Sequence, residues 1–143
     1  MRKLLSATAL AVVLVAGQAS AETTIRLTEV ITSPQRTEVL KGMIARFEAA
    51  NPGVTVEVTS LPWGQAFEKL ATMVSGGEIP DVVEMPERWL SLYANNDQLE
   101  SLRPFLDQWE GTAQITERAL EFGSIVADTP YMIPYGFYIR AMF

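Results

Sequence analysis

The chain has 143 residues, a formal net charge of −6, and neither cysteine nor histidine. Ser-His and Cys-His nucleophiles, zinc sites built on imidazole or thiolate, and disulfides are therefore excluded. The acidic balance also disfavours nucleic acid as a partner, because it repels a phosphate backbone.

The chain opens on Met1-Arg2-Lys3, followed by an uncharged run from Leu4 to Ala16 and then Ala19-Ser20-Ala21. Basic, apolar, then small residues is the order of a secretory signal, and the apolar run is shorter than the about 20 residues a bilayer-spanning helix needs. Residues 1–21 are therefore expected to be a cleaved signal peptide, with the mature chain starting at Glu22 in a periplasm. No cysteine follows the cleavage site to carry lipid, so a soluble product is expected.

From Glu22 onward, strand-like and helical patterns alternate. Ile25 to Ile31 is rich in β-branched residues and reads as a first strand. Ser33-Pro34 supplies a cap-like residue followed by proline at a first helical position. Val39, Leu40, Met43, Ile44 and Phe47 then recur at helical spacing through Ala50, and Asn51-Pro52-Gly53 stops that helix. Val54, Val56 and Val58 alternate with polar residues, as in a strand near a sheet edge with one covered face. A second helix is expected from about Trp63 to Ser75, stopped by Gly76-Gly77. Val82 to Met85 reads as a short buried strand, Glu87 to Ala94 as a short helix, and Thr116 to Phe122 as a looser helical stretch. This alternation predicts an α/β fold, with a mainly parallel sheet covered by helices on both faces. No internal repeat interrupts it, so one domain is expected up to Pro130. The aromatic and apolar end, Tyr131 to Phe143, is unlike an ordinary polar terminus and reads as the start of something longer.

In an open α/β sheet, ligands meet the loops at the carboxyl ends of the strands. Those loops offer Thr32, Ser33, Gln35 and Arg36 after the first strand, Ser60, Leu61 and Trp63 after the second, and Glu84, Met85, Arg88 and Trp89 after the third. Indole faces cover the apolar C–H side of a sugar while carboxylates, amides and hydroxyls pair with its polar groups, so this mixture suits a neutral polyol. Tyr135, Gly136 and Tyr138 are further candidates, since glycine permits close approach and tyrosine offers both a face and a hydroxyl. Each has an alternative reading: Trp63 and Trp89 as core, Arg36 and Glu84 as surface charges, and Pro134 to Tyr138 as an aromatic core strand.

Catalytic readings have little to stand on. No G-x-x-x-x-G-K-[ST] or G-x-G-x-x-G occurs, and nothing raises Glu84 and Glu87 above ordinary surface charge as a glycosidase pair. No catalytic residue, metal or cofactor is expected.

Several stretches together resemble the family 1 extracellular solute-binding proteins of bacterial ABC sugar importers. They are FEAANPGVTVEV (Phe47 to Val58), the W-x-x-x-F-x-x-L run from Trp63 to Leu70, GGEIPDVVE (Gly76 to Glu84), Trp89, the L-x-x-L of Leu99 to Leu102, and IPYGFYIRAMF (Ile133 to Phe143). The resemblance implies a monomeric two-lobed protein that closes on a sugar and docks on the permease subunits of an importer. It makes residues 22–130 the first lobe and 131–143 the start of a crossover to a second lobe that is missing here. It also implies that Ser33 to Arg36, Glu84 and its neighbours, and Tyr135 to Tyr138 meet the sugar. The alternatives are a binding protein for a polyamine or peptide, and an exported carbohydrate-active enzyme.

Overall fold

The structure is a computed structural model that describes residues 22–30, 33–134 and 136. The expected signal peptide, Ile31, Thr32, Tyr135 and residues 137–143 of the expected crossover, including Tyr138, lie outside the described residues.

Among the described residues, three strands form one sheet in the order β2-β1-β3. β1 (Thr23–Glu29) pairs in parallel with β2 (Val54–Ser60) along its whole length, from Thr23↔Val54 to Glu29↔Ser60. On its other side it pairs in parallel with β3 (Val82–Val83) through Leu27↔Val82 and Thr28↔Val83. Parallel neighbours need a crossover, and α1 (Pro34–Ala50) supplies it between β1 and β2. The α/β class and the parallel sheet are as the alternating pattern predicts.

The helix ends follow local chemistry. Ser33 caps α1 by accepting the Arg36 N–H, and Pro34 occupies the first turn, where no intrahelical N–H is needed. At the other end the Asn51 side chain donates to the Phe47 carbonyl (2.7 Å), and Gly53 turns the chain into β2. A short 3₁₀ turn at Trp63–Gln65 leads into α2 (Ala66–Ser75). α2 stops where expected: Gly77 takes φ +81°, its N–H reaches the Val74 carbonyl, and the Glu78 N–H reaches that of Met73. This double bond between the residues past the helix and its last turn is the glycine-dependent Schellman stop. α3 (Glu87–Ala94) matches its predicted bounds, and α5 (Glu117–Gly123) is capped by the Thr116 hydroxyl. Between them lie α4 (Arg103–Leu106) and a 3₁₀ turn at Glu110–Gln114, both too short to show a period in sequence.

Four expectations need correction. β1 begins at Thr23 and ends at Glu29, so it does not span Ile25 to Ile31. Its start is set by β2, which opens directly after the Gly53 turn, and the Thr23 N–H donates to the Gly53 carbonyl (2.8 Å). Its end is set by Val30, whose N–H goes to the Glu84 side chain and not to a strand. β3 is shorter than Val82 to Met85, and Val82 is exposed, because no further strand lies beside it among the described residues. Val58 of β2 is exposed as well, so the alternating valines do not lie on one covered face. Finally, the sheet is not covered evenly: Val39, Met43 and Phe47 of α1 are exposed, and α1 has no buried residue.

The core lies instead beneath the carboxyl ends of the strands, where Val30, Leu61, Ala66, Leu70, Trp89 and Tyr93 form one buried cluster. Met73, Val74, Val83, Met85 and Leu99 pack against it. Tyr93 is buried, which pushes its phenol pKa up, and its hydroxyl has no hydrogen-bond partner among the described residues. An unsatisfied buried hydroxyl costs about 1–3 kcal/mol. Tyr93→Phe is therefore expected to leave stability unchanged or raise it by about 1 kcal/mol in urea unfolding. A clear loss would show that the hydroxyl is bonded in the folded protein.

Candidate functional site

The strand order reverses at β1: the chain leaves it through α1 to reach β2 on one side, then returns to place β3 on the other. In open α/β sheets a crevice forms at such a reversal, outside the carboxyl ends. Glu84 stands at that point. Its N–H donates to the Thr28 carbonyl (2.8 Å), which ties its backbone to the end of β1.

The Glu84 side chain then gathers the neighbouring elements. Oε2 accepts the Val30 N–H at 3.0 Å, and Oε1 accepts from Arg36 Nη2 at 2.7 Å. The side chains of Arg36 and Glu84 are 26% and 9% exposed, so the pair is largely withdrawn from water. A carboxylate in that setting needs charged or N–H donors to offset its desolvation, and it has both. The Ser33 cap sets the first turn of α1 and thereby positions Arg36. Among the candidates, Ser33 is half-buried, Gln35 is exposed beside Arg36, and Gly136 is exposed.

A second carboxylate, Glu29, escaped the sequence reading. It is only 2% exposed and accepts from Thr37 Oγ1 (3.2 and 3.3 Å) and Ser60 Oγ (3.0 Å). These bonds join the ends of β1 and β2 to the first turn of α1. Its signal in the sequence was an acid inside a β-branched run, since a strand rarely buries a carboxylate without partners.

The aromatic side of the rim follows β2 and β3. Trp63 is 41% exposed and Trp89 is 8% exposed. Their rings stack with centroids 5.9 Å apart and planes inclined by 10°, while Phe67 meets Trp89 edge-on at 5.2 Å. The Arg88 guanidinium lies 5.1 Å from the Trp63 ring centroid and 5.9 Å from that of Trp89. Trp89 thus belongs to the core and backs Trp63, which is the ring that reaches solvent. Val30, Leu61 and Trp89 share one buried cluster, so the carboxylate side and the aromatic side of the rim stand on the same core.

Among the described residues, no group of three or more His, Cys, Asp or Glu side chains could hold a metal. A shallow cavity of about 780 Å³ lies in the segment after α4, lined by Gln108, Trp109, Glu110, Gly111, Gln114 and Ile115. Its walls come from one short stretch of chain, and it stands apart from the strand ends.

A parallel sheet whose strand order reverses at β1, with polar and aromatic loops gathered at that reversal, defines a lobe of the periplasmic-binding-protein type. The chain belongs to the bacterial extracellular solute-binding protein family, whose model matches residues 33–143. A Brucella abortus protein named as a candidate binding protein is 31% identical over 113 residues, covering 78% of this chain and 26% of its own length. The crystal structure of a periplasmic solute-binding protein from Pectobacterium atrosepticum superposes with a TM-score of 0.71 at 27% identity, covering 80% of this chain and 27% of that one. The sugar-binding protein MalE from Xanthomonas citri gives a TM-score of 0.67 at 29% identity, covering 76% and 27%. The chain thus spans about a quarter of the length of the relatives it matches.

Two predictions follow from the bonds across the sheet. Removing the Glu84 side chain takes away the ion-pair partner of Arg36 and the acceptor of the buried Val30 N–H, so Glu84→Ala is expected to cost about 2–4 kcal/mol, read as a lower urea midpoint. Asp81 accepts the Arg26 N–H at 2.8 Å, and this bond holds its carboxyl below the ordinary value of 3.8. A lowered folded-state pKa adds stability that is complete above 3.8 and is lost as the pH falls below that value through the folded-state pKa. Asp81→Asn should flatten stability against pH in that acid window, measured by unfolding at a series of pH values.

Proposed function

We propose that this chain is the first lobe of a periplasmic protein that captures a sugar for an ABC importer. The observation that carries the reading is that the loops at the carboxyl ends of the strands present both a hydrogen-bonded Arg36–Glu84 pair and the solvent-facing indole of Trp63, resting on one shared core. A pyranose has an apolar C–H face and a rim of hydroxyls, and a flat ring beside fixed charged donors and acceptors answers both. Family membership and the likeness to a sugar-binding MalE support it.

In this reading Trp63 takes the C–H face with Trp89 as its backing. Ser33, Gln35, Arg36 and Glu84 address hydroxyls from the first and third loops, and Tyr135, Gly136 and Tyr138 meet the ligand near the crossover. Residues 1–21 direct export and are removed, 22–130 form the lobe, and 131–143 begin the connection to a second lobe. Binding stabilises the closed form because only that form brings both lobes onto one ligand, and the permease subunits read closure. The protein acts as a monomer without a cofactor. It breaks no bond in this reading: Glu84 and Glu29, two buried carboxylates at the rim, are each engaged in hydrogen bonds within the lobe.

The test is thermal unfolding of the complete polypeptide that carries this lobe, against a panel of mono- and oligosaccharides. A ligand that binds only the folded state adds about 2.7 kcal/mol at a hundredfold excess over its dissociation constant. A sugar-specific rise in Tm, weakened about tenfold in affinity by Trp63→Ala, is the expected result. A rise with a polyamine or peptide and with no sugar would overturn the reading.

A further inference from the structure

We infer that Arg88 makes this rim selective for a sugar that carries a carboxylate, such as a uronic acid. The inference rests on the sugar-binding reading and narrows it to one chemical class. Three arginines in the described lobe are already paired with acids: Arg26 with Asp81, Arg36 with Glu84 and Arg118 with Glu121. Arg88 is exposed and, among the described residues, has no acidic partner, although Glu87 is its neighbour in the chain.

Arg88 is also held in place. Its guanidinium lies over the Trp63 ring at 5.1 Å and near Trp89 at 5.9 Å, and Trp89 is itself fixed in the core. A guanidinium drawn to aromatic rings by cation–π attraction keeps its N–H donors, having no ion pair among the described residues to spend them on. Those donors suit the two oxygens of a carboxylate, and a side chain already held against the rings loses less freedom on binding. A uronic acid presents the matching pair on one ring, with a C–H face for the open part of Trp63 and a carboxylate for the Arg88 edge. The acidic balance of the chain opposes an anion only weakly, since salt screens charges beyond about 8 Å at physiological ionic strength. The local cation therefore decides. Arg36 is unsuited to this role because its Nη2 is committed to Glu84.

The experiment is calorimetric titration of the complete polypeptide with galacturonate and glucuronate, each beside its neutral parent, galactose or glucose. One acid should bind at least about tenfold more tightly than its parent, the scale of a charge-assisted bidentate contact. Arg88→Gln should reduce that preference to within about twofold, and Arg88→Lys should keep only part of it, because an ammonium lacks the planar fork. An unmodified protein that prefers the neutral parents, or binds none of the four sugars, would overturn the inference. So would a preference that survives Arg88→Gln. Tight neutral-sugar binding would leave the broader sugar reading standing, whereas a Tm rise confined to polyamines or peptides would remove both.

Discussion

The Glu84 carboxylate holds the rest of this lobe in register. One oxygen takes the Val30 N–H and the other takes the Arg36 guanidinium, so a single side chain joins the end of β1, the first turn of α1 and the start of the loop after β3. A carboxylate at 9% exposure is tolerable only with such donors. That requirement explains why β1 stops where it does, since the amide that would continue the strand is already bonded. It also makes the reversal of strand order polar. Glu29 repeats the device one layer deeper with hydroxyl donors from Thr37 and Ser60.

The apolar packing is concentrated under the same end of the sheet. Leu61, Ala66, Leu70, Trp89 and Tyr93 close around Val30, while the outward stripe of α1 stays exposed. The lobe is therefore best packed beneath the carboxyl ends of its strands. The Trp63–Trp89 stack extends that support to the surface, because a buried indole fixes the plane of an exposed one. Arg88 rides on this platform, so one core sets the position of both the aromatic and the cationic part of the rim.

Much of the fold was legible because its boundaries rest on short-range rules. The Ser33-Pro34 start of α1, the Gly76-Gly77 stop of α2 and the limits of α3 each depend on residues within a few positions of one another. The strand ends were less legible, as β1 takes its limits from partners more than twenty residues away in β2 and at Glu84. α4 and the turn at Glu110–Gln114 left no trace in the pattern, since four or five residues do not complete enough turns to repeat. For the site, the residue types at the strand ends could be read, whereas their grouping could not. Arg36 and Glu84 are 48 positions apart, and nothing local distinguishes a bonded pair from two surface charges.

By itself, the sequence determined the α/β class, the order of the main elements and the set of loops that reach the carboxyl ends, because hydrophobic period, capping and turn chemistry are local properties. It also carried the family resemblance, through ordered motifs spread along the chain. Only the tertiary structure decided that Glu84 bridges Val30 and Arg36, that Glu29 is buried, and that Trp89 is core while Trp63 faces water. Those outcomes depend on which segments become neighbours across the sheet. A residue's burial and partners are set by that contact, and not by its identity or by the residues beside it in the chain.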